Sequence, residues 1–105
     1  MENEIISKLQ HIATISSYPE DLRKEAVRQL GTYLTHSVEK EAIKLLRTIS
    51  SSSSYPQNLR EEAIRQLGTY VPHEEAVNIL CSIAVSSSYD NLLRLNAIKG
   101  LGRKM

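Results

Sequence analysis

The strongest constraint on the fold of this chain is an internal repeat. The segment that begins at Ser17 reads SYPEDLRKEAVRQLGTY, and it returns from Ser54 as SYPQNLREEAIRQLGTY, a period of 37 residues. A third copy begins at Ser88, 34 residues further on, and reads SYDNLLRLNAIKGLG. Because repeated units that stack on one another bury one continuous core, we predict a single repeat domain over residues 1–105. The serine run at 50–54 corresponds to shorter serine runs before the other copies, so it is predicted to be a turn inside a unit.

Each repeat unit is predicted to be a pair of helices. In the second half of a unit, apolar residues recur at spacings of four, four and three, which places them on one face of a helix. These positions are Leu22, Ala26, Leu30 and Tyr33 in the first unit, and Leu59, Ala63, Leu67 and Tyr70 in the second. The first halves have helical periodicity at Ile6, Leu9 and Ile12, at Ile43, Leu46 and Ile49, and at Val77, Leu80 and Ile83. We therefore predict an all-α chain of six helices in three pairs, with units at about 3–35, 37–71 and 73–104.

Capping signals predict where the second helices of the units begin. Two residue pairs have the spacing of a capping box: Ser17 with Glu20, and Ser54 with Gln57. This spacing predicts that the two serines cap the helices. The alternative is that Tyr18 and Tyr55 are the boundary residues, because a residue before proline avoids the helical conformation.

Two further signals concern the third and fourth helices. Pro72 predicts that the fourth helix ends near Tyr70 or Val71. Thr35 or Ser37 is predicted to cap the third helix, because a hydroxyl oxygen accepts a hydrogen bond from a free backbone N–H of the first turn. Both signals agree with the division into helix pairs.

The repeat resembles the HEAT repeat family. The matching residues are Leu22-Arg23, Ala26 and Leu30-Gly31; Leu59-Arg60, Ala63 and Leu67-Gly68; and Leu93-Arg94, Ala97 and Leu101-Gly102. The resemblance covers nearly the whole chain, although Asp90 stands where the other two units have proline. It implies a right-handed α-α superhelix of the HEAT/armadillo-like type, whose second helices line a concave surface. It also implies that Arg23, Arg60 and Arg94 form a structural ladder between units.

Composition narrows the function classes only slightly. The chain has thirteen Lys and Arg and twelve Asp and Glu, which gives a net charge of +1. The overall charge therefore indicates neither a nucleic acid nor a membrane as the partner. The single cysteine, Cys81, excludes an internal disulfide, which favours the cytoplasm. No apolar run approaches the roughly 18 residues of a membrane helix, so no membrane association is predicted.

The chain carries little that is typical of an enzyme. His73-Glu74 has the character of a metal-binding pair, and HEAT-like di-iron hydroxylases use several such pairs, but the equivalent His36 is followed by Ser37. Cys81 aligns with polar residues of the other units, Gln10 and Arg47, so it is predicted to be partly exposed and incidental. We therefore predict no catalytic residue, no metal and no cofactor.

The pattern most suggestive of binding is a basic row on the second helices, formed by Arg28, Arg65 and Lys99. Such a row is suited to an acidic protein segment or to a phosphate backbone. The alternative is that Glu25 and Glu62, three residues earlier, pair with Arg28 and Arg65 along a solvated helix. Lys99 has Asn96 at that spacing and lacks such a partner.

These observations favour a noncatalytic protein-interaction module or scaffold that binds its partner on the concave face of the second helices. One alternative is nucleic-acid binding through the basic row, and another is an accessory subunit of an enzyme such as a bilin lyase-like complex. The last unit has no obviously polar capping unit after it, so self-association through the terminal repeat, or a longer array, is also open.

Overall fold

The computed structural model describes residues 2–32 and 39–102 of the chain. Its helices are α1 (Glu2–Thr14), α2 (Glu20–Leu30), α3 (Glu39–Ser51), α4 (Gln57–Leu67), α5 (Glu74–Val85) and α6 (Asn91–Gly102), with a short 3-10 turn at Gly68–Tyr70. Those two ranges contain no strand, so the all-α class and the six helices are confirmed. No helix within them is long and apolar enough to span a bilayer.

The helices pack as three consecutive pairs, α1 with α2, α3 with α4 and α5 with α6. The second helices also form a layer of their own, in which α4 lies between α2 and α6 and contacts both extensively. The first helices touch their neighbours at only a few residues. The Cα atoms span 34 × 30 × 16 Å, so the stack is two helices thick. The right-handed superhelical sense stays a prediction.

One apolar core runs through all three pairs. Ile43 and Leu46 of α3 and Leu59 and Leu67 of α4 are completely buried in its centre, and Leu80 of α5 continues it into the third pair. The predicted periodic positions thus face the core in the middle pair, as the helical spacing requires. The core is therefore continuous from the first pair to the third, and the single repeat domain stays a prediction.

The predicted capping boxes are wrong. Helices α2 and α4 begin at Glu20 and Gln57, and their N-cap residues are Pro19 and Pro56, neither of which caps with its side chain. Both prolines are extended, with ψ near 150° (147° and 150°), so the preceding serine lies too far back along the chain to reach the first turn. The Ser54 hydroxyl instead bonds to the Ser52 hydroxyl at 2.7 Å. Ser50 and Ser51 end α3, and the rest of the serine run forms the turn inside the second pair.

The third pair begins its second helix differently. Asp90 occupies the position of the two prolines, and its Oδ1 accepts a hydrogen bond from the Leu93 N–H at 3.0 Å. This bond is the main cause that holds the pKa of Asp90 below its ordinary value of 3.8, with the Gln57 side chain and the Arg60 charge adding to it. A side-chain cap therefore replaces the conformational restriction of proline.

The α-helical part of the fourth helix ends at Leu67, and the 3-10 turn carries it to Tyr70, where Pro72 predicts the end. The peptide bond between Val71 and Pro72 is cis. Thr35 and Ser37, the predicted caps of the third helix, lie outside the described residues.

Candidate functional site

The three arginines of the predicted ladder bond to the first helix of their own pair. Arg23 Nε donates to the Ala13 carbonyl at 3.0 Å, and Arg94 Nε donates to the Ala84 carbonyl at 3.0 Å. Arg60 makes the same bond to Ser50 at 3.3 Å. The last carbonyls of a helix have no partner within the helix, so each guanidinium satisfies one of them and joins the two helices of a pair.

One contact of this arginine set crosses between pairs. The guanidinium carbon of Arg60 lies 5.7 Å from the ring centroid of Tyr89, which precedes α6. This distance is within the range of a cation–π interaction. The continuous ladder between units stays a prediction, since the hydrogen bonds of all three arginines described above run within a pair.

The predicted basic row is partly neutralised by an ion-pair network. Arg28 pairs with Glu25 on α2, and Arg65 Nη1 lies 2.5 Å from Glu62 Oε1 on α4. Arg28 Nε also lies 3.6 Å from Glu62 Oε2, which links α2 to α4. The two arginine side chains remain 48% and 44% exposed. The pairing along each helix, which was the alternative to a free basic row, is therefore confirmed for both arginines.

Glu62 is the most unusual member of this network, because its side chain is only 1% exposed. Gln66 Nε2 donates to its second oxygen at 2.7 Å, so the carboxylate is fully partnered. The equivalent Glu25 is 50% exposed. A hydrogen bond from Gln29 and the charge of Arg28 lower the pKa of Glu25. The two acids differ because α2 covers this side of α4, whereas no described helix covers this side of α2.

Lys99 differs from its two equivalents. It is exposed and makes no ion pair with any residue that the structure describes. Asn96, which replaces the acid, donates its side-chain amide to the Leu92 carbonyl at 3.0 Å. The row therefore combines three cations with two anions, and its unpaired charge lies at the α6 end.

Two apolar depressions lie at opposite ends of the stack. The one on the first pair has a volume of about 250 Å³ and is lined by Leu9, Ile12, Tyr18, Leu22, Glu25, Ala26 and Gln29. The one on the third pair has a volume of about 330 Å³ and is lined by Ala84, Asn91, Arg94, Leu95 and Ile98. Leu22 is 51% exposed and Ile98 is 54% exposed. We call these surfaces the head face and the tail face.

A third depression, of about 390 Å³, lies between the first helices α3 and α5. Its lining is mixed, with Arg47, Glu75 and Asn78 beside Ile79, and Tyr89 at its edge. Its polar groups are of different types: a guanidinium, a carboxylate, an amide and two serine hydroxyls. The described residues contain no group of three or more His, Cys, Asp and Glu that could hold a metal ion.

His73 has a structural position at the start of α5. Its Nδ1 accepts a hydrogen bond from the Glu75 N–H at 3.2 Å, and its Nε2 lies 3.2 Å from Glu39 Oε1. Glu74 lies in the first turn of α5, where the helix dipole favours a carboxylate. Cys81 is exposed, as its alignment predicts.

Comparison of the chain with protein-family models, with curated proteins and with solved structures found no match. The resemblance to HEAT repeats therefore stays a prediction based on the repeated residues.

Proposed function

We propose that this chain is a noncatalytic protein-binding module whose second helices hold an acidic segment of a partner. The observation that carries the proposal is the position of Arg28, Arg65 and Lys99, which are exposed at equivalent sites of three neighbouring helices. Glu62 bonds to Arg65 and lies beside Arg28, so two of the three cations are held in place before a partner binds. Such preorganisation reduces the entropy lost on binding.

The charges of the row favour a protein over a nucleic acid. A phosphate backbone that followed the row would pass Glu25 and Glu62 as well as the cations, and the resulting net attraction is small. A protein segment is able to place acidic side chains opposite Lys99 and the exposed parts of the two arginines, and neutral groups opposite the glutamates. Complementary charge of this kind gives specificity more than affinity.

The test compares two triple variants with equal charge. The row variant lacks the three cations of the row and carries Arg28→Gln, Arg65→Gln and Lys99→Gln. The α3 variant lacks three exposed cations of α3 and carries Lys40→Gln, Lys44→Gln and Arg47→Gln. Peptides are first selected on the wild-type chain from a displayed random library. Their affinities, and those of single-stranded and duplex oligonucleotides, are then measured by fluorescence anisotropy at low and high salt.

The proposal expects that selected peptides are acidic, and that the row variant loses their binding while the α3 variant keeps it. Oligonucleotide binding that depends on the row and falls steeply with salt would instead support the nucleic-acid alternative. Peptides that bind the row variant as well as they bind the wild type would refute the assignment of the site.

A further inference from the structure

The repeat makes it possible to compare each position of the open ends with its covered equivalent. Val27 and Ile64 lie at the position that faces the following pair, and both are fully buried, whereas the equivalent Ile98 is 54% exposed. At the position that faces the preceding pair, Leu59 is fully buried, whereas Leu22 is 51% exposed. The tail face and the head face are thus the two halves of the contact that already joins successive pairs.

The polar groups at the two ends also match. Between the first and second pairs, Arg28 lies 3.6 Å from Glu62. If the third pair of one copy is placed before the first pair of another, Lys99 takes the position of Arg28 and Glu25 takes that of Glu62. The cation of the tail face that has no ion pair among the described residues would then meet an exposed acid of the head face.

A second polar contact follows the same rule. The Asn58 side chain donates to Glu20 Oε2 at 2.9 Å across the first two pairs. The corresponding residues at the open ends are Asp21 on the head face and Asn91 on the tail face, so the amide and the carboxylate have exchanged sides. A hydrogen bond between them is still possible, because an amide donates and a carboxylate accepts in either arrangement.

The glycines show that the tail face also leaves room for a neighbour. A Cβ added to Gly31 would collide with the Gln66 side chain of the next pair, whereas one added to Gly102 would meet nothing within 4 Å. In a second copy, Gln29 takes the position of Gln66. The tail face therefore has an open space beside Gly102, equivalent to the space that the Gln66 side chain fills beside Gly31.

We propose that a second copy of this chain covers the open tail face, so that copies associate head to tail through a contact that repeats the one between α2 and α4. The two faces are different surfaces, so the contact is heterologous and growth continues past the dimer as a filament or closes in a ring. The contact uses the ends of the stack and shares Lys99 and Glu25 with the charged row, but it does not use Arg28 or Arg65, so it goes beyond the proposed partner site.

The test is sedimentation equilibrium of the full chain from about 1 μM to about 1 mM. The wild-type mass is expected to rise with concentration beyond that of a dimer. Ile98→Glu blocks the tail face and Leu22→Glu blocks the head face, so each variant alone is expected to stay a monomer. Their equimolar mixture retains one intact face of each kind, and we expect a dimer of one copy of each.

Three variants provide the controls. Lys99→Glu is expected to weaken association by about fivefold, and mixing it with Glu25→Lys is expected to restore it. Gly102→Gln adds a side chain at a position where an added Cβ meets nothing within 4 Å, so it is expected to block the tail face even if Ile98→Glu fails to fold. Far-ultraviolet circular dichroism and thermal unfolding establish that each variant is folded.

Two results would overturn the proposal. A wild-type chain that stays monomeric throughout would show that a second copy does not cover the tail face. A mass that stops at the dimer and does not change in Leu22→Glu would indicate a two-fold contact between tail faces. Binding of acidic peptides through Arg28 and Arg65 is measured in parallel, so loss of association with peptide binding retained leaves the proposed function intact.

Discussion

At the scale of single residues, the repeat places the same side chain in different surroundings. Glu25 and Glu62 occupy equivalent positions, and each bonds to an arginine three residues later and to a glutamine four residues later. Only Glu62 is buried, because it also lies against α2. The burial of this carboxylate depends on the neighbouring pair, which local sequence does not reveal.

We expect Glu62→Ala to lower the free energy of unfolding by about 1–3 kcal/mol, because it removes charge-assisted hydrogen bonds to Arg65 and Gln66 in a buried position. Glu25→Ala removes the same pattern of bonds from an exposed position and serves as the matched control. Urea denaturation of both variants measures the difference. Equal losses would show that burial against α2 does not contribute.

Gly31, which caps the end of α2, and Gly102, the last residue of α6, are expected to differ in the same way. Gly31→Ala would force the Gln66 side chain to move and to release Glu62, so a lower midpoint of thermal unfolding is expected. Gly102→Ala meets no neighbour and is expected to keep or raise the stability, by at most about 1 kcal/mol. Both are measured in dilute solution, and a loss of stability in Gly102→Ala alone would contradict the assignment of neighbours.

At the scale of elements, the second helices begin in two ways. Two of them follow a proline whose fixed φ suits the start of a helix, and the third follows Asp90 with its side-chain cap. The proline start does not depend on pH. The start at Asp90 does depend on pH, because only the ionised carboxylate accepts the hydrogen bond from the Leu93 N–H strongly. The same bond lowers the pKa of Asp90.

The stability that Asp90 contributes is therefore expected to depend on pH. Because its folded pKa lies below the unfolded value of 3.8, the contribution is complete above that value and is lost as the pH falls through the folded pKa. Thermal unfolding of the wild type and of Asp90→Ala should differ at neutral pH and converge in acid. Asp90→Pro, which restores the start used by α2 and α4, should differ from Asp90→Ala by an amount that does not change with pH.

At the scale of the whole molecule, the middle pair is the only one of the three that is covered on both sides by described helices. Its inward-facing positions are fully buried, while the equivalent positions of the outer pairs are open on one side. Stability in such a stack is a sum of contributions from the pairs and from their contacts. The middle pair should therefore dominate the stability of the chain.

Ile64→Ala is expected to cost about 2–5 kcal/mol, because it leaves a cavity between α4 and α6. Ile98→Ala makes the same change at the equivalent position, where the side chain is 54% exposed, and should cost less than about 1 kcal/mol. Urea denaturation at a concentration where the chain is monomeric measures both. Similar costs would contradict the open tail face.

The candidate site was only partly predictable. The positions of Arg28, Arg65 and Lys99 follow from the repeat, and pairing with Glu25 and Glu62 follows from the spacing of three along a helix. The contact from Arg28 to Glu62 joins two helices and does not follow from either segment alone. The cap at Asp90 was missed because the other two units, with proline, set the expectation for the third.

The sequence by itself determined the helices, their number and their pairing. The reason is that the spacing of apolar residues along a helix is a local property, and the same spacing recurs in each repeat. Only the tertiary structure decided which copy of each repeated residue is buried. Leu22 and Leu59, or Ile64 and Ile98, are equivalent in the sequence and opposite in exposure, since burial depends on whether another pair lies alongside. The ends of a repeat array are therefore where identical motifs acquire different properties.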